Sequence, residues 1–291
     1  MSASSFGFGP TKAVLTAGAL LVLSFVLLYS HVLSKLIHDW AANENYSHGF
    51  LVIPLAMYFA WERRERLATL PPQPSNAGLL LVVASLAILV AGVLGAELFL
   101  TRISMIGLIA GAIWFAWGLP HLRILAFPLA FLVLMIPIPT IVFNQIAFPL
   151  QLLASRFGEG SLRVCRIPVL REGNVIVLAT TTLEVAEACS GIRSLISLLT
   201  LGIVYGYFVD RRPFVRGLIA LSTIPIAIIA NGLRVAGTGV AAHYFGPKMA
   251  QGFFHTFSGW VVFVVAFLLL LGVIRVILRL LPAETRSKDV A

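Results

Sequence analysis

The chain has 291 residues, 59% of them hydrophobic and 11% charged, with a net charge of +9. A mean hydropathy of +0.97 excludes an ordinary soluble domain, whose surface needs far more polar residues, and makes the bilayer the solvent for much of the chain. The surplus of Lys and Arg reads as a topology signal beside membrane spans, not as a nucleic-acid groove, because no aromatic residues interleave with it.

About eight apolar stretches approach the roughly 20 residues that cross some 30 Å of hydrocarbon. In chain order they lie near 13–34, 48–62, 77–96, 102–119, 122–142, 190–209, 214–238 and 254–280. The first has too long an apolar run for the core of a secretory signal and is read as a span. The second is short. The fifth carries "IPIPT" (Ile136 to Thr140), where proline ends or kinks a helix by removing a donor and crowding the preceding turn. Between the fifth and sixth, "NQIAFPLQLLASRFGEGSLRV" has helical apolar spacing suited to the membrane interface. Two β-branched runs then flank "REGN", which predicts a β-hairpin.

The expected architecture is therefore an all-α polytopic membrane protein, one domain over 1–291. Its extracytoplasmic insertion, about 144–188, holds a small interfacial helix and a hairpin before the sixth span. Orientation follows from basic residues in short loops. Arg63, Arg64 and Arg66, then Arg123, then Arg211, Arg212 and Arg216, then Arg279, Arg286 and Lys288 all fall on one side of eight spans. That side is expected to be cytoplasmic, with both termini inside.

Ionisable groups in such a chain are costly and are candidates for function by default. Cys189, in "EVAEACSGIRSL", falls at the outer start of the sixth span, where a helix N-terminus favours a thiolate. Arg193, four residues later, is expected on the same helical face. The bland alternative is a small buried hydrophobe. Arg234, in "IIANGLRVAGTG", lies near the outer end of the seventh span. It either offers a planar fork of donors to an oxyanion or snorkels to the headgroups; Asn231, one turn back, adds a second polar group to that face. His255, in "GFFHTFSGW", opens the eighth span, and His48, in "YSHGF", opens the second. An imidazole in either place is an acid/base or a satisfied interfacial residue. Glu184 and Glu187 orient these groups or cap the sixth span. Cys165, in the insertion, is the other cysteine, and one disulfide between the two is possible.

A thiolate, an acid/base and an oxyanion stabiliser are the parts of acyl transfer. Three helices bring them to one side of the membrane. The order "EACSGIRS", "IPIAIIANGLRV", "HTFSGW", together with "YSHGF", "IPIP" and "FPLQ", resembles the exosortases, a bacterial family of membrane-embedded cysteine transpeptidases with archaeosortase relatives. The resemblance implies a catalytic set of Cys189, Arg234 and His255, with Arg193, Glu187, Asn231 and His48 as auxiliary candidates and no cofactor or metal. It implies exported protein substrates carrying a C-terminal Pro-Glu-Pro-like motif, a transmembrane helix and a basic tail. It also implies residence in the inner membrane, a site facing the periplasm, an association with exopolysaccharide production and no nucleic-acid partner. The competing class is a transporter or channel with a polar outer vestibule, which broken spans suit. Against it, the polar groups gather at one face and no inverted repeat is visible. A metalloprotease using His48, His243 and His255 lacks HExxH spacing, and a rhomboid-like serine enzyme lacks GxSxG.

Overall fold

The computed structural model describes residues 12–43, 45–179, 181–185, 191–246 and 253–282, with side chains from 16 onward in the first helix and from 259 onward in the last. The described chain is helical apart from one small sheet. Five helices are long and apolar enough to cross a membrane, and up to seven spans result if each of two bent helix pairs counts as one. The chain forms two compact units, Met1–Pro139 and Thr140–Ala291.

In the first unit, α1 (Lys12–Leu28) and α2 (Ser30–Ala42) replace the single expected span over 13–34. They meet at a 65° bend. Tyr29 sits at the break, fully buried, with its hydroxyl 3.1 Å from Ser104 Oγ. Next come α3 (Gly49–Glu62) and the short α4 (Arg64–Thr69). The hairpin of α5 (Asn76–Leu94) and α6 (Leu98–Trp117) closes through small residues. A Cβ placed on Gly78 would lie 2.1 Å from the Phe115 backbone nitrogen, so the two backbones touch directly, the usual means of packing helices in lipid.

The fourth expected span began at residue 102, which put Arg102 at its edge. Instead α6 starts at Leu98, where Glu97 caps it by accepting from the Phe99 and Leu100 N–H groups at 3.0 and 3.2 Å. Arg102 is thus a full turn inside, 2% exposed, and ion-paired with Asp39 of α2. A guanidinium at that depth needs such a partner.

α7 (Leu119–Phe131) runs into a 3-10 turn, Leu132–Met135, and stops at the prolines. Pro137 and Pro139 lack the N–H groups that would serve the Leu134 and Met135 carbonyls. Two side chains serve them instead. His48 Nε2 donates to Leu134 O at 3.0 Å and Trp40 Nε1 donates to Met135 O at 2.9 Å.

The second unit opens with α8 (Thr140–Val164), four residues earlier than the expected insertion. Strands β1 (Val169–Glu172) and β2 (Val175–Leu178) form the predicted hairpin, with Glu172 opposite Val175 and Gly173, at φ +65°, in the turn. A third strand that the sequence reading did not anticipate, β3 (Thr182–Glu184), extends it in the order β1-β2-β3. The sheet buries Ile176 and Leu178 against Ala154 and Leu162 of α8 and Val235. Ser155 Oγ ties the turn down by donating to Gly173 O at 2.9 Å. Then follow α9 (Ile192–Val209), α10 (Pro213–Phe245) and α11 (Phe253–Leu280). Helix α10 runs seven residues past its expected end, to Gly246, whose φ of +86° terminates it.

Arginines read from sequence as topology signals also hold this unit together. Arg212, after α9, pairs with Asp210 at 2.7 Å and donates to Leu281 O at 2.6 Å and Pro282 O at 3.2 Å, capping α11. Arg216 donates to Asp210 O and Tyr207 O, capping α9, and lies over the Tyr207 ring at 4.4 Å.

Candidate active site

The site assembles around one face of α10. Asn231 and Arg234 are three residues apart there, so they share that face. Asn231 is buried and Arg234 half-buried. The neighbouring face is locked to α8 by interdigitation at glycines. A Cβ on Gly232 would meet the Phe157 ring at 2.6 Å, one on Gly158 would meet Val235 at 2.7 Å, and one on Gly239 would meet Leu162 at 2.9 Å. The rotation of α10 about its axis is set by these contacts, and with it the direction of Asn231 and Arg234.

Two further glycines close on the polar face. Gly191 is the N-cap of α9, in the left-handed region at φ +78°. A Cβ built on it would lie 2.7 Å from Asn231 Cγ and 3.0 Å from Nδ2. Gly259, in α11, faces Arg234. A Cβ there would lie 3.0 Å from Nη2 and 3.1 Å from Cζ, so the guanidinium rests against bare backbone. Position 255 is one turn before Gly259 on the same helix, and therefore on the same side of it. Thr238 Oγ1 donates to Arg234 O at 2.9 Å, within α10.

The sequence-predicted residues distribute as follows. Arg234 and Asn231 lie together at this face. Arg193 is in the first turn of α9, half-buried. His255 is the third residue of α11, and its side chain is outside the described residues. Cys189 and Glu187 also fall outside them, Cys189 two positions before Gly191. His48 belongs to the first unit, where it serves the Leu134 carbonyl. Cys165 is a free, exposed thiol following α8, and Glu184 is an exposed residue of β3.

The expected placement of Cys189 and Arg193 on one helical face rests on a residue outside the described ones; among these, α9 begins at Ile192, after left-handed Gly191. Gly191 and Gly259 were not among the candidates. Both stand in the quoted motifs, directly after a serine, but glycine brings no functional group, and its use here is the space it leaves.

The motif-bearing segments of α9, α10 and α11 are thus in mutual contact through two glycines and two polar side chains. A family model for transmembrane exosortases matches residues 40–272, which include all of them. The chain belongs to the transmembrane exosortase family. No curated protein and no solved structure matches it. Membership agrees with the multi-pass helical architecture, and the matched region runs across both compact units.

Chemically, an exosortase-family chain with this geometry presents a planar guanidinium whose donors have a fixed fork. The guanidinium is seated against one helix and carried by another. A donor held in this way suits charge that develops during a reaction better than a mobile surface arginine does.

Proposed function

We propose that the protein is a membrane cysteine transpeptidase that acts on the C-terminal sorting signal of exported proteins at the outer membrane-water interface. The Cys189 thiolate attacks the carbonyl carbon of the scissile peptide. Arg234 donates to the resulting oxyanion. The C–N bond breaks as His255 gives a proton to the departing amine, leaving an acyl thioester on Sγ. An acceptor amine then loses a proton to His255 and attacks the thioester. The C–S bond breaks, and the thiolate is restored. Such a division of labour follows from what each group can do near neutral pH.

The substrates are exported proteins with a Pro-Glu-Pro-like motif, a transmembrane helix and a basic tail, and the site faces the periplasm with both termini in the cytoplasm. The reading is supported above all by one observation. Two separate helices that carry the cysteine and histidine motifs close, through Gly191 and Gly259, on the single α10 face that carries Asn231 and Arg234.

The test uses a co-expressed substrate and the full-length protein. Cys189→Ala is expected to abolish processing and the trapped thioester, and Cys165→Ala to retain both. Loss with Cys165→Ala and retention with Cys189→Ala overturns the assignment.

A further inference from the structure

Asn231 has no part in the three-residue scheme, yet it is 4% exposed. Its neighbourhood is apolar: Leu150, Ala154, Leu195 and Ala227 line a crevice beside it together with Gly191. A buried amide is tolerated in such surroundings only when it is hydrogen-bonded. Its side chain packs on Gly191, so closely that no Cβ fits between them. Gly191 in turn holds the left-handed turn from which α9 starts, two residues after Cys189. The same α10 face carries Arg234 one turn on.

We propose that Asn231 is a positioning residue, whose buried side chain seats Gly191, the start of α9, on α10 and so sets the spacing between Arg234 and the nucleophile two residues before Gly191. The proposal rests on the transpeptidase reading above. Asn231 does not touch the substrate in this scheme. It acts through Gly191, and Gly191 is glycine for two reasons: the positive φ, and the absence of room against the Asn231 amide.

A packing role alone and a positioning role differ in what they do to the thiol. The titratable groups carried by the same segments are Glu187, Arg193, Arg234 and His255, and every variant leaves them intact. The test is made in a Cys165→Ala background, with the full chain in membranes. It compares Asn231→Asp, Asn231→Ala, Gly191→Ala and the double variant Gly191→Ala/Asn231→Ala. Two quantities are read: the pH profile of iodoacetamide labelling at Cys189, and the initial rate of substrate processing.

Asn231→Asp keeps the shape and adds a carboxylate next to the turn. It is expected to move the labelling profile upward by about one pH unit or more, because a like charge disfavours the thiolate, and to slow processing at least tenfold. Gly191→Ala is expected to slow processing at least tenfold through collision with Asn231. In the double variant the combined loss is expected to be clearly smaller than the product of the single losses, as coupled neighbours require.

A labelling profile and a rate for Asn231→Asp within twofold of the parent overturn the proposal. So do single losses that simply multiply in the double variant. If Asn231→Ala does not accumulate, the isosteric Asn231→Asp decides. If neither accumulates, Asn231 is a folding determinant and the positioning role is wrong. Continued processing by Cys189→Ala sinks the transpeptidase reading itself, whereas a normal Asn231→Asp beside a dead Cys189→Ala sinks only this inference.

Discussion

Replacing Gly259 by alanine probes the seat of Arg234 with the smallest possible change. The new methyl carbon would stand 3.0 Å from Nη2 and 3.1 Å from Cζ, against an ordinary contact distance that begins at 3.4 Å. The guanidinium must therefore retreat by about 0.4 Å, taking ordinary contact as the end point. It can do so, because it is the far end of a flexible side chain, so the fold tolerates the change. Removing a glycine from a helix interior even favours the folded state by about 0.5–1 kcal/mol.

The rate is more sensitive. If a misplacement of about 1 Å costs roughly a hundredfold, one of about 0.4 Å costs roughly five- to tenfold, or ~1–1.4 kcal/mol of barrier. Gly259→Val adds two more carbons at the same spot. It is expected to approach complete loss of the donor, roughly 10²–10³ in rate. Gly272→Ala is the internal control, on the same helix and with nothing within 4 Å of the added carbon. The assay is a pulse-chase of substrate processing, normalised to the amount of each variant in the membrane. Gly259→Ala matching Gly272→Ala in rate at equal abundance refutes the idea that Arg234 works from its seat on α11. A graded loss from alanine to valine without loss of protein supports it.

Three further outcomes are expected. Arg234→Lys keeps the charge but loses the planar fork and is expected to abolish detectable turnover, while Arg193→Lys keeps partial activity; the reverse pattern at normal protein levels swaps their roles. Single cysteines at Ser2, Glu172 and Ser287, in a background with both native cysteines replaced by alanine, report topology in intact cells. An impermeant maleimide is expected to label only the Glu172 position, and labelling of Ser2 or Ser287 without Glu172 inverts the orientation. Finally, the hydrogen bonds that Arg212 donates hold the Asp210 carboxyl below its ordinary value of 3.8. A carboxylate with a depressed folded pKa contributes stability that is present above the unfolded pKa and lost as pH falls through the folded one. The melting temperature in detergent should therefore drop on acidification below about pH 4, and by less in Asp210→Asn, which is already destabilised at neutral pH; identical acid dependence in the two removes Asp210 as a cause.

What the sequence made legible was mainly what hydrophobic length and local chemistry encode. The long apolar helices, the proline stop after α7 and the Gly173 turn were all visible in it. The family resemblance rested on the quoted motifs. Hidden features were those that depend on a distant partner. Arg102 looked like the edge of a span because its counter-ion, Asp39, is 63 residues away. The signal was a guanidinium five residues after a good N-cap, which places it inside the helix. The bend at Tyr29 follows a continuous apolar run and has no proline to announce it. Strand β3 is only three residues long, too short to show alternation. The glycine seats at 191 and 259 were invisible for a different reason: what they contribute is an absence of atoms, and only the neighbouring helix shows where that absence is needed.

The Arg212 clamp and the seat of Arg234 lie at the two ends of one helix. The clamp grips Leu281, whereas Arg234 leans on Gly259, some 22 residues or about 33 Å back along α11 at 1.5 Å per residue. Between the two, Ala266, Leu270, Ile274 and Ile277 are buried against Leu198 of α9 and Ile219, Ile226 and Ala230 of α10. The helix is therefore bedded along its length, and slack at the clamp is taken up before it reaches the seat. A change that thins this bedding, such as Leu270→Ala, frees the seat more than loss of the clamp does.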